Sequence, residues 1–171
     1  MNRLRRGSLS LLVILLLLSG CSPPEEDEIV IRRLVSKAAG LAEQHDIGGI
    51  MELTTEDFLA FPGKLDRREA RRILWMAFRH YGDLMVMYPQ PKVDLESDPL
   101  VPSVSFPFLI LKKDQSLPDL AKLYNDPGRW VESVGERADL YRFRLALVKV
   151  KGDWLVKGAR LEKFTGLGFR E

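Results

Sequence analysis

A chain of 171 residues with 46% hydrophobic, 29% charged and 9% aromatic side chains has the length of one ordinary domain and the balance of a packed globular core. That excludes collagen-like and intrinsically disordered classes. Of its 26 Lys and Arg, three (Arg3, Arg5 and Arg6) precede Cys21, leaving 23 basic against 24 acidic residues beyond it. Such a near-neutral remainder argues against nucleic acid as a partner, which needs a basic stripe rather than a basic leader.

The chain opens with those three arginines, an almost wholly apolar run from Leu9 to Leu18, and then Ser19, Gly20 and Cys21. A basic flank, an apolar run of about ten residues and small residues before a cut site make a secretory signal, because a bilayer-spanning helix needs about 20 apolar residues. Leu18-Ser19-Gly20-Cys21 resembles the lipobox of bacterial lipoproteins. The resemblance implies that residues 1–20 are a signal peptide, that Cys21 carries lipid on sulfur and a palmitate-type acyl chain on its new amine, and that residues 21–24 form a short tether. In a bacterium with two membranes, the same resemblance implies through Ser22 in second place the periplasmic face of the outer membrane, the alternatives being the inner membrane or, with a single membrane, the outer face of the cell membrane. Cys21 is the only cysteine, so lipidation would remove disulfides and thiol chemistry from the domain. Several acyl chains, at about 0.8 kcal/mol per buried methylene, make the attachment stable.

Pro23 and Pro24 followed by Glu25 to Glu28 read as a helix start. Apolar Val30, Leu34, Ala38 and Leu41, widened by Ile31, Val35 and Ala42, predict an amphipathic helix over 25–44. Asp46 is placed to cap a short second helix through Ile50 and Leu53. Thr54 to Phe61 reads as an irregular or strand-like passage. Asp66 and Glu69 then form a capping-box pattern, Ala70, Leu74, Ala77 and Tyr81 keep helical spacing, and Gly82 supplies a stop, so a helix is predicted over 67–81.

Beyond Gly82 the period becomes alternating, with Leu84, Val86 and Tyr88 on one side of a strand and Met85 and Met87 on the other. A short strand is expected around Val93 to Glu96 and a longer one from Ser103 to Lys112, where Pro107 points to an edge or a bulge. Leu140 to Phe164 reads as a hairpin with Gly152-Asp153 at its turn. That register pairs Val150 with Leu155 and Val148 with Lys157. It groups Tyr141, Phe143, Leu145 and Leu147 with Val156, Gly158 and Arg160.

This order of helices and antiparallel strands resembles the nuclear transport factor 2-like, or cystatin-like, fold. Its echoes are Asp46 between two helices, Glu56-Asp57-Phe58, the helix capped from Asp66, and Gly152-Asp153-Trp154-Leu155-Val156-Lys157. The expected architecture is α+β: N-terminal helices packed on a curved antiparallel sheet, forming a single cone-like domain over 25–171. The departure is an insertion at about 114–139 bearing Leu120, Leu123, Tyr124, Trp130, Val131 and Val134, expected to pack one or two helical turns over an edge or the mouth of the cone.

The family resembled hosts ketosteroid isomerases, cyclases and dehydratases beside many non-enzymatic domains, so function has to be read from a site. Isomerase-type chemistry needs a carboxylate or imidazole base and a phenol or protonated acid as donor. Tyr81, His80 and Asp83 are the catalytic candidates, with Tyr88, Tyr141, Asp57 and Asp94 as further groups. His80 and His45 each end a helix, where the dipole alone accounts for an imidazole. No spacing supports a metal around His45, Asp46 or Glu43. No phosphate loop, nucleophile elbow or paired-carboxylate motif implies a cofactor.

Trp75, Phe78, Tyr88, Arg142 and Arg144 are candidate ligand-binding residues, core packing being the plainer reading of Trp75 and Phe78. Arg142 and Arg144 are expected to share a face with Lys157 and to suit a carboxylate or head group, unless that face is simply solvated. Arg67, Arg68, Arg71, Arg72 and Arg79 make one helical face basic, a partner or phospholipid surface diluted by Asp66 and Glu69. The leading expectation is a non-catalytic, lipid-anchored envelope protein that binds a small apolar ligand, a peptide or a protein partner. The alternatives are a cone-fold enzyme of ketosteroid isomerase or dehydratase type and a structural assembly subunit.

Overall fold

The computed structural model describes residues 26–97, 101–112, 124–135, 140–165 and 168–170. The leader, the tether and Cys21 lie outside them, as does part of the insertion. Helix α1 (Asp27–Glu43) buries Ile31, Leu34 and Val35 against the sheet. Both ends are tied down: Asp27 Oδ1 accepts from Trp154 Nε1 at 2.9 Å and Lys149 Nζ at 2.7 Å, and Glu43 Oε1 accepts from the Val86 amide at 2.9 Å. A helix of 17 residues is about 25 Å long, so α1 works as a strap across the strands. Asp46 caps the short α2 (Ile47–Glu52) by accepting from the Gly49 amide at 2.8 Å.

The passage from Thr54 to Phe61 takes its strand-like alternative as β1 (Thr54–Phe61) and leads to α3 (Arg67–Tyr81), whose capping box joins Asp66 and Glu69 reciprocally. Strands β2 (Leu84–Met87), β3 (Lys92–Asp94) and β4 (Ser103–Lys112) follow, then α4 (Pro127–Gly135), β5 (Leu140–Val150), β6 (Asp153–Phe164) and β7 (Phe169–Arg170). The sheet order is β1-β6-β5-β4-β2, with β3 on β4 and β7 on β6; β1 runs parallel to β6 and the other pairs are antiparallel. The N-terminal helices on one side of a curved, unclosed sheet make the mixed α+β architecture expected from the sequence.

Pro107 is not on a sheet edge, since β4 lies inside the sheet. It falls in a local gap instead: β3 pairs with residues 103–105 and β2 with 109–112 of the same flank. A missing N–H is tolerated where no ladder partner stands.

The hairpin register differs from the sequence expectation for two reasons. The turn is Lys151-Gly152, with φ of 53° and 98°, the doubly left-handed turn that matches strand twist. It pairs Val150 with Asp153 and Val148 with Leu155. Ladder partners then jump from Leu147↔Val156 to Ala146↔Gly158, leaving Lys157 as one extra residue on β6. Such a bulge reverses the faces of everything beyond it. Gly158 and Arg160 therefore leave the Tyr141 face, and Lys157 does not join Arg142 and Arg144 but lies 3.7 Å from Asp57.

The inner face carries Val104, Phe106 and Phe108 of β4, Leu147 of β5, and Trp154 and Val156 of β6, packed with α1, Phe58 and Ala70. Phe108 and Phe143 stack at 4.6 Å with planes 6° apart, and Phe106 and Tyr141 extend the row. A second core lies on the outer face, where Trp130 and Val134 of α4 cover Leu109, Leu111 and Leu140, flanked by Met85, Met87, Phe164 and Phe169. The helical part of the insertion thus closes the back of the sheet rather than the mouth.

Candidate functional site

Beyond the apolar ground under α4, the outer face turns charged. Glu162 of β6, buried, accepts from Arg142 and stands 3.0 Å from Arg144 Nε through its other carboxylate oxygen. Two charge-assisted bonds from Arg142 to one oxygen and an ion pair of Arg144 with the other hold the cluster together. Arg142 also lies over the Phe169 ring at 4.3 Å.

The next rung pairs Arg144 directly with Arg160. Like charges facing across a ladder repel, and the Glu162 carboxylate beside Arg144 offsets that repulsion in part. Arg160 spreads over the Phe61 ring at 5.0 Å. Beside this pair the sheet is floored by small residues, Gly158, Ala146 and Ser103 on the next row and Ser105 beyond Arg144, and walled on the far side by Lys92 and Asp94. The result is an open cradle of about 390 Å³. A Cβ at Gly158 would sit 3.6 Å from the Leu59 carbonyl oxygen, so the floor is low because the residue is small and not because the backbone demands glycine. The Asp94 carboxyl is held below its usual range by hydrogen bonds from the Ser97 hydroxyl and amide and from the Glu96 amide, and so stays ionised as one anionic corner among cations. This arrangement suits a carboxylate or another oxyanion with an apolar portion against Phe61.

The other candidates are spread differently. His80 and Tyr81 meet edge to face at 5.0 Å at the end of α3, where His80 and Asp83 are exposed. His45 stacks on Phe78 at 5.0 Å, and its Nε2 lies 2.9 Å from the Gly82 carbonyl oxygen, a structural role at the helix end. Phe78 is buried, as a core reading requires, but Trp75 is 51% exposed and is not core. Tyr88 packs 5.5 Å from Phe106, and burial raises its phenol, opposed in part by a hydrogen bond with Ser36. Arg142 and Arg144 are the only two of the proposed site residues that the fold joins through a shared partner among the described residues. Sequence reasoning missed that partner, Glu162, along with Arg160, because both depend on the Lys157 bulge.

Among the described residues no helix is long and apolar enough to cross a membrane, and no three His, Cys, Asp or Glu converge as a metal site. No protein-family model matches the chain, and no curated protein matches it in sequence. Solved structures do match. Aln2 from a Streptomyces species aligns with a TM-score of 0.61 at 12% identity over 82% of this chain and 93% of its own. A candidate scytalone dehydratase from Novosphingobium aromaticivorans aligns with a TM-score of 0.58 at 12% identity, over 81% of this chain and 85% of its own. A nuclear transport factor 2-like protein with a cystatin-like fold, also from Novosphingobium aromaticivorans, reaches 0.57 at 14% identity over 97% and 93%. At these identities the likeness shows the fold alone, and that fold is cystatin-like.

Proposed function

We propose that this cystatin-like domain is a non-catalytic binding module of the cell envelope, tethered by lipid on Cys21 to the periplasmic face of the outer membrane. Its outer-sheet cradle takes the anionic group of a peptide or protein partner. The observation that carries the reading is the Arg144 and Arg160 pair at the edge of a floor of small side chains. The leader and lipobox support the envelope placement.

The interior supports the same choice. Isomerase or dehydratase chemistry needs a general base aimed at the substrate. The sheet residues packed against the helices include Val104, Phe106, Phe108, Tyr141, Phe143, Leu145, Leu147 and Val156, an apolar and aromatic layer. Their rings are in contact with one another, so the apolar surface that could receive a small ligand is largely spent on packing. The dehydratase-like neighbour keeps a cone-fold enzyme as the second reading, with Tyr88 beside Phe106 as the group to test.

A photo-crosslinking side chain at Ser105 of the full chain, in the cell that makes it, tests the cradle. Specific adducts at 105, absent from the same probe at Gln44 and lost in Arg144→Gln/Arg160→Gln, are expected. Equal adducts at both positions, or none at either, would overturn the reading.

A further inference from the structure

The outward face of α3 is unlike the rest of the surface. Arg68, Arg71, Arg72, Trp75 and Arg79 recur at three- and four-residue steps and so form one stripe, opposite the face that buries Ala70. Arg67 is not part of it: its guanidinium turns inward to the Met51 carbonyl, the Thr54 hydroxyl and Glu56. The carboxylates expected from the sequence to dilute this face are occupied elsewhere, since Asp66 and Glu69 bond each other's backbone amides in the capping box. Arg68, Arg71 and Arg72 have no anionic partner among the described residues. Trp75 is 51%, Met76 49% and Ile73 43% exposed. Arg79 lies over the Trp75 ring at 4.8 Å, and a groove of about 390 Å³ runs between the arginines, Trp75 and Ile47 of α2.

We propose that this stripe docks the domain on an anionic phospholipid bilayer. Arginines at helical spacing with no internal counter-charge repel one another, and a field of lipid phosphates relieves that repulsion. Trp beside long cationic side chains is the composition that seats at a headgroup boundary, with the indole at the level of the ester groups and the guanidinium groups among the phosphates. A second copy of the chain does not fit, because two such stripes facing each other would repel. The proposal rests on the envelope reading in one respect: Cys21 lies five residues before Glu26, a span of at most about 18 Å. A lipid there keeps the domain within about its own radius of the leaflet.

The test uses the full chain reconstituted in vesicles containing acyl-brominated phospholipid, with tryptophan fluorescence as the readout. Trp130 and Trp154 are buried, so quenching that disappears in Trp75→Phe reports on Trp75 alone. Quenching is expected in phosphatidylglycerol-rich vesicles and not in phosphatidylcholine vesicles. Each of Arg68→Gln, Arg71→Gln and Arg72→Gln should lower the docked-to-undocked ratio about fivefold, and about 1 M salt should abolish docking. Equal quenching in both kinds of vesicle, or none in either, would overturn the proposal. So would a Trp75 emission shift on adding polyaspartate or a DNA oligonucleotide with no quenching by anionic vesicles, which would assign the stripe to an acidic macromolecule. The mass of the N-terminal peptide reports lipidation separately. Quenching without lipid on Cys21 would sink the tether and spare the stripe, whereas lipid without quenching would do the reverse.

Discussion

The two faces of the sheet spend their residues in opposite ways. The inner face is a continuous apolar layer from Val104 to Phe108 and across to Leu147 and Val156, closed by α1 and by Ala70 of α3. The outer face is divided: α4 dries the part over Leu109, Leu111 and Leu140, while Arg142, Arg144, Arg160 and Glu162 keep the rest polar. On the helix-covered side the aromatic rings already fill one another's contacts. In the proposed reading, recognition falls to the part of the outer face that α4 leaves uncovered, where the ladder sets side chains at fixed spacing and leaves their heads in reach of a partner.

The largest expected effect comes from opening the inner layer. Phe108→Ala removes a ring that touches Phe106, Tyr141 and Phe143, and should cost about 3–5 kcal/mol in urea unfolding. A loss under about 1 kcal/mol would mean that the interior is not packed as described.

Removing the charge that organises the outer face should cost less. Glu162→Gln leaves Arg142 and Arg144 without their shared carboxylate. The loss should be about 1–2 kcal/mol, below that of a fully buried pair because Arg144 is 56% exposed. It should also loosen Arg144 and weaken partner capture. Unchanged stability and capture would show that the cluster organises neither.

The smallest effect concerns the clip that ties the start of α1 to the β5–β6 hairpin. Hydrogen bonds from Lys149 and then Trp154 hold the Asp27 carboxyl below its ordinary value of 3.8. A folded pKa depressed in this way contributes stability that is full above the unfolded value and is lost as pH falls through the folded one. The wild-type urea midpoint should therefore fall further between neutral pH and the range below 3.8 than that of Asp27→Asn. The Asn variant keeps an oxygen for the indole but has no charge to lose. Parallel pH curves would remove Asp27 from the clip.

Much of this fold is written locally. The α3 boundaries follow from Asp66, Glu69 and Gly82, and the β4 boundaries from alternation between Ser103 and Lys112, because caps and periods act over a few residues. What could not be read is nonlocal. Lys157 carries no mark of a bulge, yet that one extra residue moves Arg160 and Glu162 beside Arg142 and Arg144 and so builds the cradle. The exposure of Trp75 is hidden for a related reason: helical spacing places it on the helix but does not say which face finds a neighbour. The insertion showed its apolar residues, but the side of the sheet that Trp130 covers depends on Leu109, Leu111 and Leu140 being free to receive it.

The most direct test of the central claim is native mass spectrometry of the full chain extracted in detergent, wild type beside Arg144→Gln/Arg160→Gln. The wild type should retain a peptide or protein companion that the double variant lacks, with both chains equally folded. An equal companion on both chains, or none on either, would contradict the assignment of binding to the outer face of the sheet.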